Sequence, residues 1–113
     1  MRLRADFWVS AYLRRCNVGT ASTAVLRRRG ATEAGAVYVK LDCLDGRTAV
    51  FGPAPENDDL GERRFIRVHK NDWVDPADAE ARLARAIGFD ADIWIVEVES
   101  RDGDAQIDVV SGS

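Results

Sequence analysis

The chain has 113 residues, 46% hydrophobic and 31% charged, with a formal net charge of −3; this is the make-up of one folded domain over residues 1–113 and excludes an intrinsically disordered chain. No apolar run approaches the roughly 18 residues a membrane span needs, and residues 1–16 carry Arg2, Arg4, Asp6, Arg14 and Arg15 and so hold no signal-peptide core, so a cytoplasmic protein without membrane association is expected. Charge is split along the chain, 13 basic against 8 acidic side chains in residues 1–70 and 3 against 11 in residues 71–113, which means either that the two parts neutralise each other in the fold or that the first part meets an anionic ligand.

Residues 6–18 predict a helix, with Asp6 as N-cap and Gly19 as stop. Asp6, Ser10, Arg14 and Asn17 form a narrow polar stripe, and Phe7, Trp8, Val9, Ala11, Tyr12, Leu13 and Cys16 cover the rest, so the helix should pack on more than one side. The alternation of Leu3, Ala5, Phe7 and Val9 leaves an early strand through about Phe7 open as well.

Two β-forming runs, 23–29 and 36–43, flank a loop at 30–35 and predict an antiparallel hairpin. Asp45-Gly46 then suits a two-residue type I′ turn, pairing Leu44 with Arg47, Cys43 with Thr48 and Leu41 with Val50. That register puts Val37, Val39, Leu41, Cys43 and Val50 on one face and Tyr38, Lys40, Asp42, Ala49 and Phe51 on the other. Gly52-Pro53-Ala54-Pro55 ends the strand, and residues 56–62 read as an acidic surface loop. Residues 63–69 follow as a fourth strand, with Ile66 and Val68 toward the core and Arg63, Phe65, Arg67 and His69 facing away.

Asp75-Pro76 predicts the start of a helix over 76–87, with Gly88 at its exit, Ala79, Leu83 and Ile87 as its buried stripe and Asp78–Arg82 as an i,i+4 pair. Residues 93–100 read as a strand, and Asp102-Gly103 predicts a second tight hairpin that sets Val98 against Ile107 and Val96 against Val109, with a frayed tail at 111–113. The expected fold is α+β, an antiparallel sheet of five or six strands with two helices in the order α-β-β-β-β-α-β(-β). Trp94, between two isoleucines, is a core candidate; Trp8 and Trp73 belong in the core or at its edge.

The catalytic inventory is thin. The chain lacks a phosphate-binding GxxxxGK[ST] loop, a Gly-rich dinucleotide loop and an HExxH pair. Cys16 and Cys43 are too far apart for a CxxC centre and read as buried free thiols; no metal and no cofactor are expected. Glu97 and Glu99, two apart on one strand, offer oxygen to a divalent ion, a pattern equally ordinary on a solvated face. His69, near Arg63, Arg67, Asn71 and Asp72, is the one acid–base candidate, set against the simpler view of a polar strand end.

The predicted parity carries one sharper idea. With Leu26 inward, Arg27, Arg29, Tyr38, Lys40, Phe51, Arg63, Phe65, Arg67 and His69 share one surface, and rings interleaved with cations suit single-stranded nucleic acid. Two plainer outcomes compete: the first helix covers this face, or Glu97 and Glu99 pair with Arg63 and Arg67.

The run Trp8-Val9-Ser10-Ala11-Tyr12-Leu13-Arg14-Arg15-Cys16, with Ala36-Val37-Tyr38-Val39-Lys40, Leu44-Asp45-Gly46, Gly52-Pro53-Ala54-Pro55 and the closing Phe89-Asp90-Ala91-Asp92-Ile93-Trp94-Ile95-Val96-Glu97-Val98-Glu99, resembles a small alphaproteobacterial family, domain of unknown function fourteen ninety-one. The resemblance covers nearly the whole chain. It implies a bacterial, cytoplasmic, single-domain protein and brings neither an activity nor site residues. Three functions are therefore weighed: first a non-catalytic interaction or regulatory module, acting as a homodimer or with another protein partner; then a binder of single-stranded nucleic acid; then a small enzyme centred on His69.

Overall fold

The computed structural model describes residues 3–55 and 63–110; the acidic stretch 56–62 and the tail 111–113 lie outside the described residues. The order is α1 (Ala5–Cys16), β1 (Thr23–Arg28), β2 (Val37–Asp42), β3 (Thr48–Pro53), β4 (Phe65–Arg67), α2 (Pro76–Phe89) and β5 (Trp94–Glu99). This is the expected α+β succession. The strands form one sheet in the order β1-β5-β2-β3-β4, antiparallel throughout except that β2 and β5 run parallel.

The α1 segment is helical from Ala5, so no strand forms there. Asp6 lies inside the first turn and not at the cap; its carboxylate accepts from the Phe7 N–H at 2.8 Å and pairs with Arg4. The free N–H groups of Ala5 and Asp6 donate instead to the carbonyls of Glu33 and Thr32, both at 3.0 Å, so the helix start is satisfied by a distant loop. In α2 the sequence signal holds: the Asp75 side chain accepts from Asp78 N–H and Pro76 opens the helix, which runs through Gly88 to Phe89.

The expected hairpin between β1 and β2 does not form, because β5 lies between them. The unbroken apolar run of residues 93–96 suits a strand with neighbours on both sides and helices on both faces. Residues 30–35 carry the chain past the start of β5. A Cβ on Gly30 would sit 2.3 Å from the Asp92 carbonyl oxygen, and one on Gly35 would sit 2.7 Å from the same atom, so glycine is required at both. Ala31 N–H donates to Asp92 at 2.9 Å and the Trp94 indole N–H donates to Ala31 at 2.7 Å.

The bend between β2 and β3 is one residue longer than predicted. Leu44, Asp45 and Gly46 all lie in it, Leu44 and Gly46 with positive φ, and Val39 pairs with Phe51 and Leu41 with Ala49. The shift moves Ala49 and Phe51 to the face of Val39 and Leu41, and moves Val50 to the other.

The second predicted hairpin also fails. Gly103 turns with φ +79°, but both sides of β5 are occupied, so the chain crosses to the far edge of the sheet. There the Phe65 N–H donates to the Asp108 carbonyl and Val110 N–H to that of Phe65, each at 2.8 Å, while the Tyr12 hydroxyl holds the Ala105 carbonyl at 2.7 Å.

One core lies under α1, where Val9, Tyr12 and Cys16 meet Val37, Val39, Leu41, Phe51, Phe65, Val96 and Val98; a second lies under α2, where Ala79 and Leu83 meet Val50, Ile93 and Ile95. The outer edge of β1 is closed at Ala24 by Asn17, whose side-chain amide accepts from Ala24 N–H at 2.8 Å and donates to Ala24 C=O at 2.9 Å, and on its inner side the pairing with β5 shifts register between Leu26 and Arg28. No helix among the described residues is long and apolar enough to cross a membrane.

Candidate functional site

The nine residues expected on one surface are divided among several places. Phe51, Phe65 and Arg67 stand on the α1 side of the sheet, and the two rings are only 3% and 1% exposed. Trp8 from α1 lies over Phe65, ring centres 5.4 Å apart, so the first helix covers these rings, the first of the two plainer outcomes weighed against base stacking. Tyr38 and Lys40 stand on the opposite face, Tyr38 against the α2 core. Arg27 reaches that side too, through its ion pairs. Arg29 lies over the Trp94 ring at 5.3 Å, and Arg63, partly buried, donates to the carbonyls of Gly35 and Leu3. The one-residue shift in the bend after β2 is the physical cause, since it separates Phe51 from Tyr38 and Lys40.

His69 is buried and held at both ring nitrogens. Val50 N–H donates to Nε2 at 3.0 Å, so the proton sits on Nδ1, which donates to the Asn71 carbonyl at 2.7 Å. Burial, with the Arg67 and Arg82 charges nearby, holds its pKa below the usual histidine value. The ring acts as a strut that extends the β3 ladder beyond β4. Cys16 and Cys43 are unpaired and buried, and burial pushes both thiols up, which disfavours the thiolate.

On the α2 side, Arg27 (β1) and Lys40 (β2) converge on Glu80 from α2 and Glu97 from β5. Arg27 meets Glu80 at 2.8 Å and Glu97 at 3.0 Å; Lys40 meets Glu80 at 2.6 Å and lies 3.8 Å from Glu97. Glu97 thus pairs with these cations and not with Arg63 or Arg67, the second of the two plainer outcomes weighed, because β5 lies between β1 and β2. The two hydrogen bonds hold the Glu80 carboxyl at about 2, and the bond to Glu80 raises Arg27 above its ordinary value. These pairs, with Arg64–Asp108, join the basic first part of the chain to its acidic last part, so the two parts do neutralise each other.

Past this network the sheet carries acids. Glu99 is paired in register with Asp42 across the parallel β2–β5 ladder, and Asp42, Glu97 and Glu99 each place a carboxylate oxygen within 4.8 Å of the others. Asp42 also accepts from Leu44 N–H, whereas Glu99 has no cation partner among the described residues. These are oxygen donors of the kind hard cations take, and they are the residues here close enough to share one. Alongside opens a cleft of about 340 Å³ lined by Thr20, Ser22, Thr23, Glu99, Arg101 and Asp102. Sequence reasoning had Glu97 and Glu99 as a pair and missed Asp42, because a parallel pairing leaves no local trace; the apolar run before Glu97 was the available hint that β5 is central.

Residues 3–108 match the family model described as "Protein of unknown function (DUF1491)". A crystal structure of a DUF1491 family protein from Caulobacter crescentus is similar with TM-score 0.80 and 35% identity, over 96% of this chain and 99% of that one. The solution structure of a protein from A. tumefaciens is similar with TM-score 0.83 and 34% identity, over 100% of this chain and 98% of that one. An NMR structure of a DUF1491 family protein from C. crescentus gives TM-score 0.79 and 36% identity, over 98% and 99%. No curated protein matches the chain. The geometry and these likenesses are those of a small, compact α+β domain of unknown function, consistent with a non-catalytic interaction or regulatory module.

Proposed function

The chain belongs to the DUF1491 family, and from that premise we propose that it is a non-catalytic interaction module whose contact surface is the end of the sheet beyond α2 and whose partner is a protein segment rich in lysine or arginine. The observation that carries this is the convergence of Asp42, Glu97 and Glu99 within 4.8 Å. Arg27 and Lys40 already hold Glu97, so the repulsion left is that of Asp42 and Glu99 beside it, and a cation from a partner relieves it. The neighbouring surface suits such a segment: Val25 and Leu44 are exposed apolar side chains against which the aliphatic stem of a lysine or arginine lies favourably, and the cleft adds hydroxyls and Asp102, with Arg101 the one cation among the described residues of its lining. The buried, unpaired thiols support a reducing compartment, and so a place in the cytoplasm.

Titrating isotope-labelled protein with a short peptide of alternating lysine and serine tests this. Resonances of Thr23, Asp42, Glu97 and Glu99 should move, less so as salt rises, and should stop moving in an Asp42→Asn, Glu99→Gln double variant. A peptide that leaves these positions still, or that binds the double variant equally well, overturns the proposal. Light scattering identifies one special partner: a dimer lost in the same variant makes the occupant a second copy of the chain.

A further inference from the structure

Arg67 closes β4 on the α1 side of the sheet, with its guanidinium carbon 5.0 Å from the centre of the Phe51 ring and 5.7 Å from that of Trp73. Two aromatic faces fix the plane of a guanidinium but offer its N–H groups no acceptor. Its Nε is buried without a hydrogen-bond partner, and among the described residues no carboxylate pairs with it. Arg28 and Arg63 bury an Nε in the same way but donate through their terminal nitrogens to backbone carbonyls. No guanidinium nitrogen of Arg67 has an acceptor among the described residues, so its two terminal nitrogens are left for an acceptor from outside the chain. A second guanidinium stands beside the same indole: Arg47 lies 4.8 Å from the Trp73 ring centre, its own charge matched by Asp45 at 2.9 Å. The indole is backed by Gly103, where a Cβ would come within 3.4 Å of it, so Trp73 is a firm support for both cations. The set keeps one positive charge in excess at any working pH, because arginine does not deprotonate there.

We propose that Arg67, with Arg47 and Trp73, forms a binding site for an oxyanion, a phosphate or carboxylate group that presents two oxygens side by side to the Arg67 fork. The planar guanidinium donates two parallel N–H bonds to such a group, and holding its plane against two rings before binding reduces the entropy lost on capture. This site uses none of the residues of the acidic surface above and does not rest on that reading.

Side-chain N–H resonances of Arg67 and Trp73 in the full chain read the site directly. Inorganic phosphate and acetate are titrated separately, each against sodium chloride at equal ionic strength. Both resonances should move to saturation with at least one oxyanion and stay still in chloride; phosphate alone identifies a phosphoryl ligand, acetate alone a carboxylate, and both an oxyanion of either kind. Arg67→Lys keeps the charge and loses the fork, so it should weaken binding roughly tenfold. Arg47→Gln, at an exposed position that leaves the fold intact, should weaken it by a smaller factor. An equal response to chloride, no response to either oxyanion, or an unchanged midpoint in both variants overturns the site.

Discussion

The two faces of the sheet are closed by different physics. Under α1 the closure is aromatic and apolar: Trp8 stacks on Tyr12 with ring centres 5.0 Å apart and tilts onto Phe65, above Phe51 and Val39. Under α2 it is half apolar, with Leu83 and Ala79 on Val50 and Ile95, and half ionic, with Glu80 drawn between Arg27 and Lys40. The first face resembles a base-stacking surface in composition and is sealed by a helix. The second carries cations, and acids from the far end of the chain neutralise them. Side-chain type therefore says what a face is able to do, while the element that lands on it decides whether it is open.

If the aromatic closure is the stronger one, damage to it should cost most. Phe65→Ala removes a ring that is 1% exposed and touches Trp8; the expected loss is about 3–5 kcal/mol, a large part of the stability of a domain this size, read as a fall in the urea midpoint. His69→Ala should come next. It leaves the buried Val50 N–H without its acceptor, a loss of about 1–3 kcal/mol. Lys40→Met should cost about 1–2 kcal/mol, below the 3–5 of a fully buried pair when broken, because Glu80 is half exposed and Arg27 still holds both acids. A Lys40→Met loss equal to that of Phe65→Ala would reverse the ranking of the two faces.

The histidine strut also has a pH signature. Burial lowers the pKa of His69 in the fold, so the unfolded chain binds its proton first as pH falls. Its stabilising contribution is complete above the unfolded value near 6.5 and declines as pH drops below it toward the folded value. Urea midpoints measured across this range should fall with pH for the native protein, and the slope should flatten in His69→Gln. An equal slope in the variant places the titrating group elsewhere.

Local signals were legible and long-range ones were not. Asp75-Pro76 announced α2, and the alternation in residues 37–42 announced β2, because caps and periodicity reside in neighbouring residues. The start of α1 was misplaced because its donors are satisfied by the Thr32 and Glu33 carbonyls, far along the chain. Asp-Gly at 45–46 and 102–103 signalled turns correctly, yet Leu44 at φ 64° joined the first and lengthened it by one residue. That single place divided Phe51 from Lys40 and removed the expected recognition surface. The central position of β5, which sets Asp42 beside Glu99, follows from glycines at 30 and 35 that let a loop pass, a constraint visible only once Asp92 stands against them.

The smallest expected effect tests the ionic half of the second face alone. Hydrogen bonds from Arg27 and Lys40 hold Glu80 at about 2 against an ordinary 4.5, so its contribution is present above about 4.5 and is lost as pH falls toward 2. Because Glu80 is half exposed, solvent screens the network, and the contribution is on the order of 1 kcal/mol, well short of what the full shift converts to. Glu80→Gln should lower the urea midpoint at neutral pH by that small amount and leave the acid limb of the stability curve shallower between pH 4.5 and 2. High salt should narrow the gap between the two proteins, since these charges are only partly shielded from water. A gap that persists unchanged in high salt would mean that Glu80 stabilises α2 by packing its stem over Lys40 and not by its charge, and the second face would then be closed by the same apolar physics as the first.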